Sequence, residues 1–225
     1  MKTKLILNIA TLLGVIGFGA PVVTSRAEST VEMQRTTRIA PDTIYISIRL
    51  AEVDATTFVD ILNSQVPDIL INAEIDLSTN AKITLTEEHI SLHELLDRAS
   101  PVLAVKWEFD RDNMCINIFS AQFEQRPGYP YTRIIEKFSA AGKNKQLLFG
   151  RLVDSKEFPT MWEAGNLDKE HPIHGSVENQ KVRKILNWIV RQDGGRQYWR
   201  MQWRPAPAGI ASFIFKSKVT TMGLP

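Results

Sequence analysis

Between Lys82 and Ser120 the spacing of the apolar residues switches from period two to helical and back to period two. Ile83 and Leu85 alternate with Lys82, Thr84 and Thr86, the pattern of a half-buried strand. Ser91-Leu92-His93-Glu94 has the form of a capping box, with Ser91 placed to accept from an early N–H and Glu94 to reach back. Leu92, Leu95, Leu96 and Ala99 then make an i, i+3, i+4, i+7 stripe, and Pro101 stops the helix. Leu103, Val105, Trp107 and Phe109 alternate again, Asp110 to Asn113 form a turn, and Met114 to Ser120 return as a second strand of a hairpin. An amphipathic helix with strands on both sides must bury its stripe against a sheet, which excludes all-α and all-β folds.

The flanking residues extend this plan. Ile44, Ile46, Ile48 and Leu50 predict a strand, Asp54 caps a helix carrying Phe58, Ile61 and Leu62, and Ile69-Leu70-Ile71 predict a short buried strand. The order over residues 43–121 is therefore β-α-β-β-α-β-β. Residues 122–131, with Pro127-Gly128-Tyr129-Pro130, predict a linker. Residues 132–218 predict a second domain that opens with a strand over Arg133–Phe138 and a helix from Lys145, and ends βαββ. Its helix is read as capped by Asn179, bearing Val182, Ile185, Leu186, Ile189 and Val190, with strands on either side of a Pro- and Gly-rich turn; residues 219–225 form a tail. The expected fold is α+β, as two small αβ sandwich domains. Lys82–Ser120 and Ile173–Lys216 share one supersecondary plan, a weak internal repeat.

Residues 1–27 have the form of a secretory signal peptide, with Lys2 and Lys4 before an apolar stretch and Ser25-Arg26-Ala27 as a cleavage site. The polar residues 28–42 predict a flexible arm. The expected location is thus periplasmic or secreted. Cys115 is the one cysteine, so an exported chain must be held by packing, and the thiol reads as a small buried hydrophobe. A composition 44% hydrophobic and 23% charged excludes disorder. The net charge of +2 hides an asymmetry: Glu28–Glu124 holds 7 Lys+Arg against 17 Asp+Glu, and Gln125–Pro225 holds 17 against 8. The two halves are suited to contrasting partners, or to each other.

The Ile44–Leu50 strand, the Phe58/Ile61/Leu62 helix, Lys82–Leu85 feeding Ile90–Leu96, and the hairpin through Trp107 and Ile118 together carry a resemblance. Residues 44–120 resemble the short N-terminal domain of secretins and TonB-dependent receptors. The resemblance implies a periplasmic interaction module placed before an outer-membrane pore or barrel. After Ser120 only about a hundred residues follow, too few for a large barrel, so an accessory subunit is what it implies here.

No constellation for chemistry is legible. His89 and His93 straddle the helix start, His171 and His174 flank Pro172, and no Gly-x-Ser-x-Gly elbow or phosphate loop occurs. No catalytic residue, metal ligand or cofactor is expected. Lys181, Lys184, Trp188 and Arg191 share one helix face and form the candidate binding surface, for an envelope protein of secretin, receptor or regulator type or for an anionic membrane. Nucleic acid is not expected in an exported chain. The expected function is a periplasmic non-enzymatic interaction module in transport, secretion or signalling assembly. The alternative is an exported hydrolase or metal-dependent enzyme acting on envelope polymers.

Overall fold

The structure is a computed structural model and describes residues 29–30, 39–126, 128–153, 160–162, 172–192, 197–204 and 210–217. The expected signal peptide, most of the arm and the tail lie outside the described residues. The fold is α+β. In chain order its elements are β1 (Ser29–Thr30), β2 (Tyr45–Asp54), α1 (Ala55–Gln65), β3 (Leu70–Asp76), β4 (Lys82–Ser91), α2 (Leu92–Val102), β5 (Val105–Asp110) and β6 (Cys115–Ser120). There follow β7 (Ile134–Ser139), α3 (Lys145–Val153), β8 (Thr160–Trp162), β9 (Ser176–Lys181), α4 (Val182–Arg191), β10 (Gln197–Arg204) and β11 (Ile210–Ser217).

Local chemistry sets the ends of the helices. Asp54 Oδ1 accepts from Thr57 N at 2.7 Å, and Asn144 Oδ1 accepts from Leu147 N at 2.9 Å at the start of α3. Ser91 Oγ accepts from Glu94 N at 3.1 Å, but the Glu94 carboxylate turns to Arg98 instead of reaching back. Helix α4 begins later than the sequence suggests. Its N-cap is Lys181, and Asn179 lies two residues earlier in β9 with φ at 52°.

β2 to β6 give the β-α-β-β-α-β-β order, and β7 to β11 with α3 and α4 give it again. The pairing is the same in both. β2 pairs antiparallel with β4, and β7 with β9. β5 pairs antiparallel with β6 and β6 parallel with β3, just as β10 pairs antiparallel with β11 and β11 parallel with β8. Details recur at matching places. A short 3-10 turn led by proline, Pro41–Thr43 or Pro130–Thr132, precedes each first strand. Leu92 N donates to Ile44 O at 2.8 Å and Val182 N to Arg133 O at 2.9 Å. His89 and Asn179, each two residues before an N-cap, both have positive φ. The Trp107 indole donates to Asp97 on α2 at 2.9 Å, and the Trp199 indole donates to Asn187 on α4 at 3.2 Å. The repeat expected from Lys82 and Ile173 onward therefore spans two whole units.

The units are not separate domains, which corrects the two-domain expectation. β3 pairs parallel with β10, so six strands run β5-β6-β3-β10-β11-β8 in one sheet. Buried side chains from both units form one continuous core. The physical reason lies in β3, every residue of which is buried. Alone, the first unit would expose both an unpaired strand edge and Asn72, Glu74 and Asp76 on one face.

Candidate functional site

Strand directions at the joint fix how the units meet. β3 and β10 are parallel while β5 and β11 run against them, so one unit maps on the other by a half-turn about an axis across the sheet. The half-turn places α1 and α2 on one face of the sheet and α3 and α4 on the opposite face. Each unit's helix consequently reaches over its neighbour's strands. From α4, Arg183 reaches Glu74 on β3, and Asn187 reaches Asn72 on β3 at 2.9 Å and Asp110 on β5 at 2.9 Å. From α1, Asp60 reaches Tyr198, Arg200 and Lys216 at 2.7, 2.9 and 2.6 Å.

Part of the charge asymmetry meets at this joint. Arg183 holds Glu74 by two hydrogen bonds of 2.6 and 2.8 Å and also reaches Glu108 at 3.3 Å; the Arg183 and Glu74 side chains are wholly buried. The Arg183 guanidinium lies 3.9 Å from the Phe119 ring centroid. Lys184 stands 4.0 Å from Asp112. Each of the three ion pairs, Arg183–Glu74, Arg183–Glu108 and Lys184–Asp112, joins an acid of the first half to a base of the second. Burial raises the Glu74 carboxyl above its ordinary value although Arg183 opposes it; Glu74 and Glu108 hold Arg183 firmly charged.

Asp60 supplies a test of the same clasp. Burial works to raise its carboxyl, but hydrogen bonds from Lys216 and Tyr198 and the charge of Arg200 outweigh it and hold it below the ordinary 3.8. A carboxyl depressed in the folded state contributes stability that is complete above its unfolded value and is lost as pH falls through the lower folded one. The wild type should therefore exceed Asp60→Asn in urea midpoint near neutrality, with the gap closing as pH falls below 3.8. A gap that widens in acid would refute the clasp.

The joint also accounts for most of the expected binding face. Arg191 Nε donates to Asn113 O at 2.5 Å, and its Nη2 donates to Met114 O and, at 3.1 Å, to Asp68 O. Its charge is spent on main-chain carbonyls of the first unit. Trp188 packs edge-on to Phe138 with centroids 6.5 Å apart and lies against Gly175, where a Cβ would come within 3.1 Å of the indole. Lys181 is exposed at the N-cap and Lys184 is half-buried. The structure thus divides Lys181, Lys184, Trp188 and Arg191 between surface and joint.

No three His, Cys, Asp or Glu residues converge as metal ligands among the described residues. His89 stacks on Tyr45 at 4.7 Å, whereas His93 meets the edge of Trp107 at 5.0 Å and Asp97 at 3.2 Å. Cys115 is buried, and burial pushes its thiol up to about 12, which keeps it from acting as a thiolate. No helix among the described residues is long and apolar enough to cross a membrane.

What the sequence did not disclose is an open hollow of about 580 Å³ beside β5, lined by Pro41, Asp42, His93, Trp107, Phe109 and Arg111 among others. β5 is an outer strand of the sheet, without a neighbour on that side among the described residues. Its counterpart β10 has the same edge filled. There β3 lies alongside, Arg183 stands where His93 stands, and Glu74 occupies the space its arginine reaches into. Trp199 is wholly buried under that cover, whereas Trp107 is only partly buried. Among the described residues the hollow is left open where the matching edge of β10 is covered by β3. The equivalence of Pro41-Asp42-Thr43 and Pro130-Tyr131-Thr132 is the sequence signal that could have located it.

Comparison with family models, with curated proteins and with solved structures finds no match for this chain.

Proposed function

We propose that this chain is an exported, non-enzymatic interaction module of the cell envelope, which joins transport, secretion or signalling assemblies through a strand edge. The observation that carries the reading is the β5 edge and its hollow, without a covering strand among the described residues, set beside an equivalent edge, β10, that is covered by a strand. An extended segment laid along such an edge gains main-chain hydrogen bonds, and an adjoining hollow selects its side chains. Trp107 and Phe109 offer apolar surface there, while Asp42, His93, Glu108 and Arg111 offer charge and hydrogen bonds of both kinds. The resemblance of residues 44–120 to the short domain of secretins and TonB-dependent receptors favours an envelope setting, and the signal-like residues 1–27 favour export. With Arg191 and Trp188 engaged within the fold, a membrane-binding basic face has little left to act with.

Expression in cells with a photoreactive residue in place of Phe109 tests this. The expected result is a processed protein beginning at Glu28 by intact mass, which forms a defined covalent adduct with a polypeptide of the envelope. A protein that keeps Met1 in the cytoplasm, or yields no adduct with any polypeptide, would overturn the reading.

A further inference from the structure

The two units are joined head to tail, and such a joint leaves its two halves unused at the ends of the molecule. β3 of the first unit docks on β10 of the second. The counterpart of β3 is β8, and the counterpart of β10 is β5; among the described residues these are the two outer strands of the six-stranded sheet. Direction is right as well. β5 is antiparallel to β6, which is parallel to β3 and, through it, to β10; β11 reverses and β8 follows β11. β5 and β8 therefore point the same way. A second molecule shifted along the sheet, with no rotation other than sheet twist, lays its β5 parallel to the β8 of the first. This is the parallel pairing already made by β3 and β10. The half-turn repeated twice is a translation, so the helices of successive units keep alternating between faces.

Resting on the reading of the β5 edge as a docking site, we infer that the partner it fits is the β8 edge of a second copy of this chain. The contact is heterologous: each molecule offers one donor edge and one acceptor edge, and binding leaves a donor and an acceptor free. Assembly is then open-ended, or closes as a ring where sheet twist permits, instead of stopping at a two-fold dimer. Extension of the register fixes the neighbours. Arg200 opposes Ala73 in the joint, and the matching hairpin pairs Trp107–Ile118 and Trp199–Phe215 set Lys106 against Tyr198 and Trp162 against Ile71 in the two units. Lys106 of one molecule is therefore to lie across from Trp162 of the next. Lys106 is exposed and reaches Glu124 at 3.2 Å, so the acceptor edge carries a charge that must be displaced or kept at the rim. That feature fits an association driven by concentration.

The test uses the full purified chain with a photoreactive benzoylphenylalanine at Lys106. Irradiation is expected to give a ladder of dimers, trimers and larger species, with peptides linking position 106 to the neighbourhood of Thr160–Trp162 in another molecule. Mixing isotopically light and heavy chains shows that the link is between molecules. By sedimentation, the weight-average mass of the unmodified protein should rise with concentration past that of a dimer. Phe109→Glu places a carboxylate in the hollow and should weaken association about tenfold or more, 1.4 kcal/mol by conversion. It retains its β8 edge, so adding it to wild type should shorten the assemblies. A monomer at every concentration, links confined within one chain, or a two-fold dimer linked 106 to 106 would each overturn the inference. An envelope protein captured at Phe109 in cells, with a purified chain that stays monomeric, would overturn self-assembly and leave the docking reading standing. If Phe109→Glu fails to fold, the Lys106 links and the mass dependence decide alone.

Discussion

Replacing Arg183 by leucine should lower the stability of the protein by about 3–5 kcal/mol, measured from urea midpoints at neutral pH. Arg183 and Glu74 have fully buried side chains, so neither is solvated by water in the folded state. Each replaces hydration with the other: the Arg183 fork gives two bonds to the Glu74 carboxylate and one to Glu108, and its flat face covers the Phe119 ring. Removal of the arginine leaves the Glu74 charge buried without a counter-ion, and the penalty is the desolvation cost of that stranded carboxylate, not the modest net worth of the pair. Glu74→Leu should cost a similar amount by stranding the guanidinium, softened by Glu108. The Arg183→Leu/Glu74→Leu double variant should recover much of the loss, since an apolar pair of similar volume needs no counter-charge. Singles within about 0.5 kcal/mol of wild type would show that the joint is solvated.

Local pattern made the first unit legible and hid the joint. Strand β2 and helix α2 each have one buried stripe, and their periods are visible in the sequence. β3 has none, because α1 and α2 cover one face and α4 covers the other. Its apolar start at Leu70-Ile71 is readable, but Asn72, Glu74 and Asp76 look like the polar end of a strand unless their partners on α4 and elsewhere are known. The α4 partners of Asn72 and Glu74 lie more than a hundred positions away, and Ser120 and Gln122, which meet Asp76, lie more than forty away, beyond any local rule. In the second unit, the helix from Lys145 is readable, but the three-residue β8 sits among Pro159, Gly165 and Pro172, too short to show a period, so the duplication showed only in its second half. The acid–base split was the trace of the joint in composition. The hollow was not legible at all: His93 and Trp107 appear as an ordinary helix surface and strand core until the filled counterpart is seen beside them.

Leu95→Ala and Ile185→Ala should each lower stability by about 2–5 kcal/mol, and each should shift one and the same unfolding transition. Leu95 on α2 and Ile185 on α4 occupy matching places in the two units, each at most 1% exposed. Truncation removes buried methyl groups and leaves a cavity that rigid neighbours fill only in part, which sets the size of the effect. Two separate domains would respond separately, with Leu95→Ala moving one transition and Ile185→Ala the other. One sheet and one core forbid this. When the second unit opens, β3 loses β10, Glu74 loses Arg183 and Asn72 loses Asn187, so the first unit cannot stay folded at its original stability. Fluorescence, which reports on Trp199 and Trp203 in the second unit as well as Trp107 in the first, should therefore coincide with far-UV circular dichroism for both variants. Two resolved transitions, with only one moved by each substitution, would restore the picture of independent domains and remove the basis for treating the β5 edge as the counterpart of a filled site.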